Sequence, residues 1–167
     1  SLSSAASDVY KRQSQSGMEN SDTFDLQLFL PYLLNQAAEE SSLSFQRVYK
    51  DRCGMLRTEW RVLFHLGIFG QMTARDIGLR ARLHKTKISR AVQKLADRRF
   101  ITRHRSDADR RQELLELTAA GRTAYLNLRT IAERYQADLG TDFTKAELAL
   151  LQNMLQRLAG KAGNKQR

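Results

Sequence analysis

The sequence predicts a mainly α-helical protein carrying one small β-hairpin. Three observations lead there. Apolar residues recur at spacings of three and four through most of the chain, as in Leu148, Leu151, Leu155 and Leu158, which is the period of one helical face. The stretch HRSDADRRQELLELT, from His104 to Thr118, breaks that period: its charged knot leads into alternation that ends at Leu117, the pattern of strands joined by a polar loop. Positive charge is concentrated around the same break. Between Thr73 and Arg111 lie thirteen Lys or Arg and four Asp, and the resulting +9 is nearly the whole net charge of +10.

A chain of 167 residues with 41% hydrophobic content can build one domain, or one domain with an added layer for association. A pI near 10.2 favours polyanionic partners and says nothing about fold. A membrane surface would need a basic helix with a wide apolar face or aromatic anchors, which the basic region lacks. No apolar run approaches the roughly 18 residues of a spanning helix. The single cysteine, Cys53, excludes an internal disulfide and a multi-cysteine zinc site. A soluble protein of the reducing cytoplasm is expected, with no cofactor and no metal. Residues 1–17, SLSSAASDVYKRQSQSG, are polar and serine-rich and read as a disordered or cloning-derived leader ahead of Met18.

The elements follow in order. After a short turn around Phe24–Leu30, Pro31 suits the first residue of a helix. Leu33, Leu34, Ala37, Ala38, Ser41, Phe45 and Val48 mark its buried face, and Gly54 its end. A second helix opens at Thr58 as cap, turns Trp60, Leu63, Phe64 and Ile68 inward, and frays at Gly67 and Gly70. Thr73 and Asp76 form an approximate capping box for a short third helix that buries Ile77. The fourth helix, about His84 to Arg98, has the stripe Ile88, Ala91, Val92 and Leu95 preceded by Leu83. Its opposite face carries Lys85, Thr86, Lys87, Ser89, Arg90 and Gln93. A short helix, a tight turn and a helix whose outer face is all donors and cations describe a helix-turn-helix. Such a face suits a major groove, where long cations reach phosphates and guanine edges.

Phe100–Arg105 and Gln112–Leu117 then alternate, with Phe100, Ile101, Leu115 and Leu117 at the apolar root. Two strands after a helix-turn-helix make a wing whose charged tip reaches toward DNA. Asp109 would repel phosphate, so its expected task is to fix Arg103, Arg110 or a backbone donor. Arg110 or Arg111 is then free to enter a minor groove, where the potential is most negative. Thr118 caps a helix bearing Ala124, Tyr125, Leu128, Ile131, Ala132, Tyr135 and Leu139. Thr144 and Glu147 form a regular capping box for the last helix. These two helices and the one after Pro31 have stripes that a second copy of the chain would cover. The expected division is 1–17 leader, 18–55 N-terminal dimerisation region, 56–118 winged helix-turn-helix, 119–160 C-terminal dimerisation helices and 161–167 basic tail.

This order of elements resembles the MarR family of bacterial winged-helix regulators over about Leu30 to Leu158. LRTEWRVLFHLG (Leu56–Gly67), DIGLRARLHKTKISRAVQKL (Asp76–Leu95), FITR (Phe100–Arg103) and DRRQELLELTAAG (Asp109–Gly121) carry the resemblance. The last is the most specific: an Asp-Arg-Arg wing, a strand ending in Leu-Thr and a downstream glycine. The resemblance implies a homodimer that reads successive major grooves of a pseudo-palindromic operator in double-stranded DNA. It also implies transcriptional repression, less often activation, relieved by a small molecule or an oxidant. Lys85, Thr86, Lys87, Ser89 and Arg90 take the recognition positions, and Asp109, Arg110 and Arg111 the wing positions. The sequence departs from the family pattern at Arg82 in the turn and Arg99 before FITR, where glycine is common. Either the backbone differs there or arginine adopts the glycine-like conformation.

Tyr32, Trp60, His65 and Tyr125 are the candidate walls of an effector pocket, with core packing the competing role for each. Cys53 lies near Arg47, Lys50, Arg52 and Arg57, which would favour a thiolate, yet it falls later in the chain than the thiols of oxidant-sensing relatives and reads as incidental. An enzyme is not expected: His65, His84 and His104 are scattered, and no phosphate loop or metal-ligand spacing occurs. The alternative function is nonspecific architectural DNA binding. RNA binding would call for exposed stacking aromatics in the basic region, and Phe100, expected inside, is the one aromatic there.

Overall fold

The computed structural model describes residues 23–163, with side chains through Gly160. The expected leader, residues 1–17, and the side chains of the basic tail lie outside the described residues. Among the described residues are six α-helices, α1 (Leu30–Cys53), α2 (Arg57–Phe69), α3 (Ala74–Ala81), α4 (Lys85–Asp97), α5 (Ala119–Leu139) and α6 (Lys145–Gly163), and three short strands, β1 (Met72–Thr73), β2 (Ile101–Arg105) and β3 (Glu113–Leu117). The chain divides into two compact units, residues 1–40 and 41–167. In the described part of the first, the Asp25 carboxylate accepts from the Gln27 N–H and caps a 3-10 turn at Leu26–Leu28. Phe24 meets Phe29 edge to face at 5.1 Å.

In the second unit, α2 is the wall between two cores. Val62 and Leu66 face α3, α4 and the sheet, packing with Ile77, Ile88, Ala91, Val92, Leu95, Ile101 and Leu115. Leu63 joins Tyr49, Met55, Tyr125, Leu128 and Ile131 on the other side. One helix serves both because its apolar residues fall on two faces, 62/66 and 63 with 60 and 64. Ile68, expected inside, is 59% exposed, since Leu66 already closes the first face. On α1 the buried position is Tyr49, not Val48; Tyr49 follows Phe45 by four residues and meets its ring at 4.8 Å.

Local chemistry accounts for most boundaries. The cap of α2 is two residues before the expectation: Leu56 is the N-cap and the helix opens at Arg57, so Thr58 lies within it. The Glu59 carboxylate accepts from the Leu56 N–H at 3.0 Å, and leucine has no side-chain acceptor to return the bond. Thr73 Oγ1 accepts from the Asp76 N–H and caps α3. On α6 the box is reciprocal, Thr144 N–H to Glu147 at 2.8 Å and Glu147 N–H to Thr144 Oγ1 at 3.1 Å, satisfying two otherwise orphaned donors. Gly67, expected at a fraying end, is inside α2: a Cβ there would sit 2.6 Å from the Tyr125 ring, so its absence lets α2 and α5 close.

The strands form an antiparallel sheet in the order β1-β3-β2. The wing register pairs Ile101 with Leu117, Arg103 with Leu115 and Arg105 with Glu113. The third strand is an addition to the expected hairpin: Met72 pairs with Leu115 and Thr73 with Leu114. Two residues are too short to show alternation, and the free edge of β3 recruits them. Where β3 meets α5, Thr118 donates its N–H to the Phe100 carbonyl and its hydroxyl to that of Arg99, while accepting from the Gly121 N–H. A Cβ at Gly121 would collide with the Phe100 carbonyl oxygen. The glycine after the Leu-Thr pair is therefore a steric requirement for seating α5 on the root of the wing.

Candidate nucleic-acid interface

The helix pair α3 and α4 meets through a three-residue turn at Arg82–His84. Arg82 adopts the left-handed conformation, φ 51°, and Arg99 does the same at φ 60°. Both arginines thus take the backbone that glycine would, at about 1–3 kcal/mol each. At Arg82 the guanidinium donates to the Ala159 carbonyl of α6 at 2.8 Å. At Arg99 the carbonyl is held by the Thr118 hydroxyl at 2.7 Å. His84 caps α4, its Nδ1 accepting from the Thr86 N–H at 3.3 Å.

With Ile88, Ala91, Val92 and Leu95 buried, the geometry of the helix presents Lys85, Thr86, Lys87, Ser89, Arg90 and Gln93 to solvent, and all six are exposed. Among the described residues Lys85, Lys87 and Arg90 make no ion pair, so their charge is available to an outside anion. Arg75 and Lys85 flank a groove between α3 and α4 floored by Leu83 and Ile88.

The wing repeats the arrangement on a hairpin. Ser106 donates its N–H to the Gln112 carbonyl, closing the loop, and Gln112 donates to the Asp109 carbonyl. The Asp109 carboxylate accepts from the Arg111 N–H at 3.0 Å. Of the three tasks open to Asp109, holding a backbone donor is the one present, in an Asx turn. Arg103 pairs instead with Glu113 at 3.7 Å across the wing. Arg110 and Arg111 are exposed at the tip and make no ion pair among the described residues. The recognition-helix and wing cations predicted from the sequence therefore all lie on the surface, with Arg103 the one already engaged.

A cleft of about 290 Å³ is lined by Phe45, Arg57, Trp60, Arg61, Phe64 and Tyr135, together with Ser41, Ser42, Ala132 and Gln136. Trp60 meets Phe45 at 5.4 Å and Phe64 at 5.4 Å, both edge to face. Of the four sequence-predicted wall residues only Trp60 lines it. Tyr125 is buried behind Phe64, ring to ring at 5.3 Å. His65 places Nδ1 2.6 Å from the Arg61 carbonyl, and the Tyr32 hydroxyl accepts from Gln36 in the first unit. Arg57, Arg61 and Phe64 were missed, although with Trp60 they fall at i, i+4, i+7 and i+3 and so share one helical face. Burial, and next the charge of Arg57, lowers the Arg61 pKa from its ordinary value. Burial likewise raises that of the Tyr49 phenol. Tyr49 Oη and Trp60 Nε1 are both buried, and among the described residues their polar interaction is with each other, the indole opposing the rise of the phenol pKa. Cys53 is half-buried against the same core.

Among the described residues no cluster of His, Cys, Asp or Glu is arranged to hold a metal, and no helix is long and apolar enough to cross a membrane.

Comparison with known proteins places this geometry. Residues 54–112 match a family model described as "MarR family". No curated protein sequence matches significantly. Among solved structures, the chain is similar to a MarR/EmrR family transcriptional regulator from Acinetobacter sp. ADP1 (24% identity, 84% of this chain and 99% of that one, TM-score 0.76). It is similar to a probable transcriptional regulator from Pseudomonas aeruginosa (25% identity, 80% and 99%, TM-score 0.72). It is also similar to BpsR of Bordetella bronchiseptica, whose DNA binding is regulated by 6-hydroxynicotinic acid (20% identity, 82% and 97%, TM-score 0.75).

Proposed function

We propose that the chain is a member of the MarR family of winged-helix transcriptional regulators, whose family model matches residues 54–112, and that it is a sequence-specific DNA-binding repressor of the cytoplasm, released from its operator by a small molecule. The observation that carries the reading is α4: four apolar side chains are buried while Lys85, Thr86, Lys87, Ser89 and Arg90 all stand exposed on the other side. Cations and short hydroxyls on one helical face suit base edges and phosphates of a major groove. Arg110 and Arg111, on a tip fixed by Asp109, extend the contact to the adjacent minor groove.

Two copies acting together account for the rest of the chain. Leu150, Leu151, Met154, Leu155 and Leu158 of α6 are 37–58% exposed, a row of apolar residues that a dimer would bury. A pseudo-palindrome follows, with half-sites about 34–36 Å apart. The dimerisation boundaries are 18–55 and 119–160, on either side of a DNA-binding region at 56–118. For the signal, the cleft commits to a planar aromatic anion: aromatic edges form its walls, and two guanidinium-bearing residues, Arg57 and Arg61, share its lining. An anion there relieves the cation that burial and Arg57 disfavour. An oxidant acting at Cys53 is the weaker form of the signal, because the thiol packs into the core.

The test is selection of bound duplexes from a random pool. Recovery of a dyad-symmetric site bound at least a thousandfold more tightly than random duplex supports the reading. Equal affinity for all duplexes would instead establish nonspecific architectural binding.

A further inference from the structure

We propose that Glu59 is a positioning residue for the recognition helix, and that through it the cleft and the DNA-reading face share a single turn of α2. The proposal rests on the DNA-binding reading above. Glu59 is 3% exposed, the one buried charged side chain among the described residues. A carboxylate removed from water needs compensation by opposite charge and hydrogen bonds. It has one of each: Oε2 accepts from the Leu56 N–H at 3.0 Å, and Oε1 lies 3.7 Å from the Lys94 ammonium on α4.

The pair is asymmetric. Glu59 is confined by packing and by its bond to Leu56, whereas the Lys94 side chain is 56% exposed, so the buried anion determines where the cation rests. Lys94 follows Arg90 by one helical turn. Apolar contact of Val62 and Leu66 with Ala91, Val92 and Leu95 sets how far α4 lies from α2, and it is less directional along the helix axis than a charge pair. A charge pair with one fixed member selects one register. Arg98 adds a longer contact at the same end of α4, its Nη1 donating to the Gly54 carbonyl at 3.5 Å.

The other side of that α2 turn belongs to the cleft, which Arg57, Trp60 and Arg61 line. A ligand that draws the two arginines inward moves Glu59 with them. Reciprocally, DNA that shifts α4 is felt at Trp60, since coupling between two binding events acts equally in both directions.

Trp60 is the chain's single tryptophan, so its emission reports the cleft without an added ligand. The experiment uses the full-length protein and the operator duplex recovered by selection. Glu59→Gln keeps an acceptor for Leu56 but removes the charge. It is expected to weaken operator binding about three- to tenfold, to leave random-duplex binding unchanged, and to abolish the emission change that operator produces in the wild type. Glu59→Gln should add less than twofold in a Lys94→Met background, because the effect runs through that ammonium. If Glu59→Gln fails to fold, Lys94→Met, a surface change, carries the same test. Its loss must fall on the operator and not equally on random duplex, which would mark a plain phosphate contact and overturn the proposal. Wild-type affinity in these variants overturns the positioning role, and an operator that leaves Trp60 emission unchanged in the wild type overturns the coupling. Failure of the wild type to bind any duplex would instead refute the DNA-binding reading.

Discussion

Arg90→Ala separates recognition from folding. Arg90 is exposed on α4 and makes no ion pair among the described residues, so truncation breaks no ion pair and Tm should change by less than about 2 °C. A guanidinium bidentate to guanine contributes about 1–3 kcal/mol of discrimination. The operator Kd should therefore rise about 5- to 150-fold, while random-duplex affinity falls by no more than one phosphate contact would cause. The neighbouring control reverses the pattern. Ile88 is 2% exposed, and Ile88→Ala should cost about 2–5 kcal/mol of stability through the lost methylenes and the cavity left behind. Fluorescence anisotropy on both duplexes, at two salt concentrations, with a parallel melting curve, measures all of this. An Arg90→Ala protein that loses equally on operator and random duplex would refute base reading by this side chain, and one that melts early would refute its structural independence.

Asp109→Ala should weaken operator binding about 2- to 10-fold, although it removes a negative charge near phosphate, because the Arg111 N–H loses the carboxylate that shapes the tip; tighter binding in the same titration would show that simple repulsion dominates. Leu151→Glu with Leu155→Glu should yield a folded monomer by sedimentation that binds the full dyad at least a hundredfold more weakly; wild-type affinity from that monomer would end the dimer mechanism. Tyr49→Phe should change stability in urea by less than about 1 kcal/mol, since among the described residues the buried hydroxyl has only the adjacent Trp60 indole to interact with; a loss above 1 kcal/mol would reveal a stronger bond to that oxygen.

Periodicity made the α4 stripe, the capping box at Thr144 and the wing root legible, because each is written within a few consecutive residues. The two left-handed arginines were legible as a choice between two backbones. What decides for the strained one is the set of partners from distant segments, Ala159 for Arg82 and Thr118 for Arg99. The cleft was only one-quarter legible among its named walls. Tyr125 and Trp60 read alike as aromatic positions on helical faces, and only the closure of α2 on α5 at Gly67 sends the first into the core and leaves the second at the cavity.

Local preferences, hydrophobic period and charge density act over one or two turns, and a single chain carries them openly. They alone determined that this protein is helical with a wing and that its cations gather on the helix-turn-helix and the wing. Tertiary structure decided which neighbours share a turn. Strand β1 exists because β3 has an unpaired edge, the buried charge of Glu59 is compensated because α4 brings Lys94 to it, and Gly121 is obligatory because the Phe100 carbonyl lies where its side chain would be. Each of these depends on residues more than 20 positions apart, or on an edge left open by another element, and no window along the sequence contains both partners.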